Sequence, residues 1–220
     1  MNMKKSVESI IKEGKLRILN EVNGAHMTIM KYAESSLEKF EGTLYAVIMG
    51  SAWGGEVEAI GRLWGKRGKV YGYDTFEDLH PKHLADKQDS FEAVCMDGWY
   101  KEYGTKELAY DYQRKCLDEQ GLENAILVKG EVNKMSCANF PYINLAFLDM
   151  DLIVSMKNGW EAVKDKICQT GYVFFHDAIP DSHLPDINHW VFDELIPQNR
   201  DKWDVEGVWR PQFLVGLVRK

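Results

Sequence analysis

Apolar positions along the chain follow two rhythms. Short runs that are almost continuously apolar recur as "TLYAVIMG", "KVYGYD", "NAILVKG", "INLAFLDMD" and "GYVFFHDA". Their length and continuity predict parallel strands buried on both faces. Between them the apolar residues space out at helical intervals, in "GGEVEAIGRLWGKRG", "GTKELAYDYQRKCLDEQGL" and "MKNGWEAVKDKICQ". "HWVFDELIPQN" continues that spacing after the last run, and the stretch from Ser6 to Phe40 reads as one or two helices. Ser6 fits a helix N-cap, with Glu8 in the first turn, where the helix dipole favours an acid. From Thr75 to Tyr112 the pattern is irregular, aromatic and polar until the helix at its end.

Strands alternating with helices predict a parallel sheet covered on both sides. The tail, "KWDVEGVWRPQFLVGLVRK", has two β-rich pieces broken at Arg210–Pro211 and no room for a crossover helix, so those pieces pair antiparallel. The expected fold is α/β, a doubly wound and mostly parallel seven-stranded sheet ending in a C-terminal hairpin. No repeat or linker divides it. One domain over 1–220 is expected, with N-terminal helices in 1–40 and a candidate substrate lid in 75–112.

Composition changes little. The chain has 220 residues, 45% hydrophobic and 28% charged, enough for one well-filled core. A net charge of −7 argues against a general nucleic-acid binder, which needs clustered Lys and Arg. No apolar stretch is long enough to span a bilayer, and the N-terminus lacks a signal core, so a cytoplasmic protein is expected. Cys95, Cys116, Cys137 and Cys168 form no C-x-x-C pair, and neither a disulfide framework nor a zinc site is expected.

The chemistry concentrates where strands end. In "MGSAWGGEVE", Gly50, Gly54 and Gly55 permit a sharp turn and close approach to a ligand, with helix N–H groups following. Glycines in such turns also serve plain packing. Asp74 closes the next strand about twenty residues on, where a carboxylate can accept both ribose hydroxyls of a nucleoside cofactor. Gly130 and Glu131 end the third strand, facing the adenine edge or forming a simple turn.

These segments, "IMGSAWGGEVEAI", "VYGYDTFEDL", "AFLDMDLIVSMKNGWEAV" and "GYVFFHDA", resemble the class I S-adenosylmethionine-dependent methyltransferases, and among them the macrocin-type metal-dependent sugar O-methyltransferases. The resemblance runs from Leu44 to Ala178. It implies S-adenosylmethionine bound through Gly50, Ser51, Gly54, Asp74, Thr75, Gly130, Glu131 and Asp149. It implies Mg²⁺ or another divalent cation held by Asp149, His176 and Asp177. Hard oxygen ligands at adjacent strand ends suit such an ion. Catalytic roles fall to Asp149 and to His176, the latter as third ligand or base. Asp151 binds metal, acts as base or caps the next helix.

Two positions depart from that family. Ile48 stands where an acid precedes the glycine loop, so backbone carbonyls, water or another side chain must meet the cofactor's amino end. His176–Asp177 replaces a pair of acids.

The acceptor implied is a small hydroxylated molecule: a sugar, glycoside or phenol. Phe76, Trp99, Tyr100, Tyr103, Tyr110 and Tyr112 are candidates for an aromatic lid or for core positions, and Trp53 for packing on cofactor or sheet. His26, His80, His83, His183 and His189 receive no role. The N-terminal helices either pair two copies of the chain or pack on the sheet. Two alternatives remain at this stage: a nicotinamide-dependent oxidoreductase, disfavoured by the absence of G-x-G-x-x-G, and a non-catalytic cofactor-binding protein of the same fold.

Overall fold

The computed structural model describes residues 24–51, 54–76, 106–180, 182 and 184–220. The chain enters with α1 (Gly24–Lys39), then β1 (Leu44–Met49), α2 (Gly55–Trp64) and β2 (Gly68–Asp74). Next come α3 (Lys106–Glu119), β3 (Ala125–Lys129), β4 (Ile143–Leu148), α4 (Ile153–Val163) and β5 (Ile167–His176). A helical stretch follows, α5 (Pro185–His189) continuing through a π-helical turn (Trp190–Leu195) into α6 (Ile196–Gln198). The strands β6 (Trp203–Trp209) and β7 (Leu214–Arg219) close the chain.

All seven strands form one sheet in the order β3-β2-β1-β4-β5-β7-β6. The first five are parallel, and β7 pairs antiparallel with both β5 and β6. The expected hairpin is present, with its last strand inserted next to β5. The order reverses direction between β1 and β4. At such a switch point the flanking connections leave on opposite faces and open a crevice beyond the strand tips.

Alternation along β4 and β5 divides the core. Leu145, Phe147, Tyr172 and Phe174 join Ile29, Ile48, Val57 and Ile60 under α1 and α2. Ala146, Leu148, Val173 and Phe175 join Met156, Trp160, Val191 and Leu195 under α4 and the later helical stretch. Each residue step moves a side chain to the opposite face, so continuous apolar runs are what two covered faces require.

One boundary differs from expectation. The helix foreseen through Gln169 ends at Val163, and Ile167 already pairs with Ile143 in the sheet. Thr170 sits at φ 60°, which absorbs the register shift between that pair and the main β4–β5 ladder. Ser6, Glu8, Trp53 and most of the 75–112 stretch, including Trp99, Tyr100 and Tyr103, lie outside the described residues. So do Cys95, His80, His83 and His183. Cys116, Cys137 and Cys168 are free thiols.

Candidate active site

The glycine turn after β1 hangs from the tip of β2. Gly50 and Ser51 both donate backbone N–H to the Tyr73 carbonyl, at 2.9 and 3.2 Å, one residue before Asp74. Gly50 has φ 80°, and a Cβ there would lie 1.8 Å from the Asp149 carbonyl oxygen. The close approach that demands glycine is therefore to the backbone of β4's exit. Asp149 N–H in turn donates to the Met49 carbonyl at 2.8 Å, locking the first and fourth strand tips together. At Gly54, φ 74°, a Cβ would strike the buried Gln113 side chain of α3. Ser51 is 2% exposed, and its hydroxyl has no hydrogen-bond partner among the described residues.

Asp74 follows directly. Its Oδ1 accepts the Phe76 N–H at 2.8 Å, and its carbonyl accepts the Gly130 N–H at 2.9 Å. The second and third strand tips are thus joined, with Thr75 half-buried between them. No described residue occupies the space beside Gly130 where a side chain would stand, and Glu131 is exposed. Phe76 is fully buried at φ 51° and meets Tyr110 edge-on at 5.1 Å, so these two aromatics are core contacts. Tyr112 is half-exposed on α3.

The acids converge one strand over. Leu148 pairs with Phe175, which sets Asp149 beside His176. His176 Nδ1 lies 2.8 Å from Asp149 Oδ1 and 3.2 Å from Asp177 Oδ2. One ligand atom from each of the three lies within 4.8 Å of the others. Asp177 is buried at φ 53°, a conformation that an L-residue adopts at a cost of about 1–2 kcal/mol. Backbone strain of this kind is commonly retained where a side chain must be aimed.

Charge follows from that packing. Burial works against the imidazolium of His176, but the negative charges of Asp149 and Asp177 outweigh it and raise its pKa to about 10. Asp151 is pushed up to about 7, first by burial, then by Asp149, Asp177 and Asp74, with His176 opposing. It does not cap α4, whose N-cap position is Leu152 with no side-chain cap. That removes one of its three expected tasks.

Two residues without an assigned role join the group. The first turn of α1 brings His26 Nδ1 against Glu56 Oε1, in the first turn of α2. His26 also feels the charges of Asp149 and His176, although burial dominates and lowers its pKa. No local signal marked either residue, since both sit in ordinary helical patterns. His189, by contrast, pairs with Asp193 on an exposed helix face.

The donor set suits a divalent cation: two carboxylates and an imidazole, already gathered about one point. The Ser51 hydroxyl, without a hydrogen-bond partner among the described residues, and the space at Gly130, which no described atom fills, suit a cofactor laid across the first three strand tips. Ile48, in contrast, is fully buried in the core and offers the glycine turn nothing polar.

No known family pattern matches the sequence, and no curated protein matches it. Solved structures do. The calicheamicin methyltransferase CalS11 is 17% identical over 88% of this chain and 77% of its own, with a TM-score of 0.63; a second, apo structure of CalS11, a TDP-rhamnose 3'-O-methyltransferase, also matches. The O-methyltransferase NovP is 17% identical over 89% of this chain and 79% of its own, at 0.62. An rRNA methylase from Streptococcus thermophilus is 15% identical over 88% and 95%, at 0.55. At these identities the likeness is one of fold, and the fold is that of the class I methyltransferases.

Proposed function

We propose that this protein is an S-adenosylmethionine-dependent O-methyltransferase, assisted by a divalent cation and acting on a hydroxyl of a small molecule such as a sugar or natural-product glycoside. The observation that carries the reading is the meeting of Asp149, His176 and Asp177 beside the tip that holds Gly50 and Asp74. The fold shared with CalS11 and NovP, both O-methyltransferases, supports the reaction class.

S-adenosylmethionine supplies an electrophilic methyl group. Asp74 receives its ribose, the turn of Gly50, Ser51 and Gly54 its amino-acid end, and Gly130 and Glu131 its adenine edge, with Thr75 between. Asp149, His176 and Asp177 would hold Mg²⁺ or a similar ion, which would supply acidification of an acceptor hydroxyl, and Asp149 would also face the cofactor. Asp151, the half-buried acid left outside that donor set, is assigned as the group that takes the acceptor's proton. His176 holds a proton between the two carboxylates when no cation is bound.

The nicotinamide alternative gains no support, because β7 enters antiparallel where a dinucleotide fold keeps its strands parallel. An RNA acceptor, as the fold shared with an rRNA methylase would allow, is opposed by the charge of −7.

The test is methyl transfer from labelled cofactor to a panel of sugars, glycosides and phenols, with Mg²⁺ and with EDTA. Activity is expected to vanish with EDTA and return with Mg²⁺. Asp149→Ala is expected to lower it at least about 100-fold, since it removes both a ligand and a cofactor contact. Full activity of that variant would overturn the metal centre.

A further inference from the structure

We infer that Glu56 receives the cofactor's α-ammonium group, in place of the acid that the chain lacks at Ile48, and that His26 holds Glu56 in position. This rests on the cofactor assignment above.

An amino-acid end is a zwitterion, and it needs donors for its carboxylate and an acceptor for its ammonium. The donors are ready, because the first N–H groups of a helix have no partner within it, and α2 has no side-chain cap at Gly54. The acceptor is the open question. Ile48 is 0% exposed and belongs to the same apolar cluster as Val57 and Phe147, so its position is closed to any charged group.

Glu56 stands two residues beyond Gly54, in the first turn of the helix that begins at the glycine turn. Its side chain is 12% exposed and meets His26. A buried carboxylate is stable only when its charge is matched. His26 meets Glu56 at Oε1, and an imidazole hydrogen bond there can orient the carboxylate while its second oxygen turns to a ligand. The helix that carries Glu56 starts at the glycine turn, whose Gly50 closes on the Asp149 carbonyl, and this places the pair at the strand tips. A primary alkylammonium is the matching chemistry, and α1 is the element that secures it.

The deciding measurement is calorimetric affinity for S-adenosylhomocysteine and for its analogue lacking the amino group, with wild-type protein and with Glu56→Gln. Wild type is expected to prefer the amino compound at least about 10-fold, the range of one charge-assisted hydrogen bond. Glu56→Gln is expected to lose about 10-fold or more for S-adenosylhomocysteine and to bind the deaminated analogue within about threefold of wild type. His26→Ala is expected to weaken the preference without abolishing it. A purely structural role for Glu56 would depress both ligands alike. Glu56→Gln with the wild-type preference overturns the inference, as does equal affinity of wild type for both compounds, which needs no variant. Failure of wild type to bind either compound overturns the cofactor assignment itself, and this inference with it.

Discussion

Gly50 meets two demands at once, a left-handed φ of 80° and a neighbouring carbonyl lying where its Cβ would be. Gly42 has the same φ with nothing within 4 Å, so it meets only the first. Gly42→Ala is expected to cost about 1–2 kcal/mol. Gly50→Ala adds a backbone clash and is expected to exceed about 3 kcal/mol, a fall in melting temperature of roughly 6–12 °C. Equal melting temperatures for the two variants would refute the locked first and fourth strand tips. The same scale governs pH. His176 in the cation-free protein has a folded pKa of about 10 against an unfolded value near 6.5. The folded state therefore binds the proton more tightly. The stability this supplies is fully present below pH 6.5 and is lost as pH rises through 10. Thermal melts in EDTA should fall across that window, and Asp149→Asn should flatten the fall. A melting temperature that rises from pH 6.5 to 10 would contradict the charge triad. The sequence disclosed Asp74, Asp149, His176 and Asp177 because each closes an apolar run. It could not disclose His26 or Glu56, because nothing in a helical pattern records what stands opposite its first turn.

Between residues and the whole stand the elements that aim them. The hairpin of β6 and β7 braces β5: His176 pairs with Leu214, and Ala178 donates to the Phe213 carbonyl just past the Asp177 turn. Gly216 in β7 makes room for the Phe174 ring, which would lie 2.6 Å from an added Cβ, with Trp209 at 3.0 Å. Tyr32 of α1 completes this aromatic cluster and donates its hydroxyl to Glu206. Gly216→Val is expected to displace the rings and destabilise by about 2–3 kcal/mol, roughly 4–12 °C. An unchanged melt would mean the cluster repacks without strain. The element boundaries show where periodicity stops informing. Residues 164–169 continue a helical spacing, yet Ile167 is taken into β5 because β4 offers it a ladder partner at Ile143. The Ile143 N–H donates to the Lys166 carbonyl, and such a pairing is invisible to a local window.

At the scale of the molecule, strand order reverses between β1 and β4, the place where such a sheet takes a ligand beyond its strand tips. A ligand bound there contacts parts of the chain far apart in sequence and should stabilise them jointly. S-adenosylhomocysteine at 100 times its dissociation constant is expected to add about 2.7 kcal/mol, raising the melting temperature by roughly 5–10 °C. No shift at saturating ligand would refute the crevice as a cofactor site. Among the described residues, no helix is long and apolar enough to cross a membrane.

The sequence by itself determined the succession of elements, the antiparallel ending and the acids at the strand tips, because burial on two faces and the alternation of side chains write themselves into local pattern. Only the tertiary structure decided that Asp149 closes over Gly50, that His176 lies between two carboxylates, and that α1 delivers His26 to Glu56. Those are meetings between distant segments. Their energy comes from desolvation and charge at a shared point, which no stretch of chain carries alone.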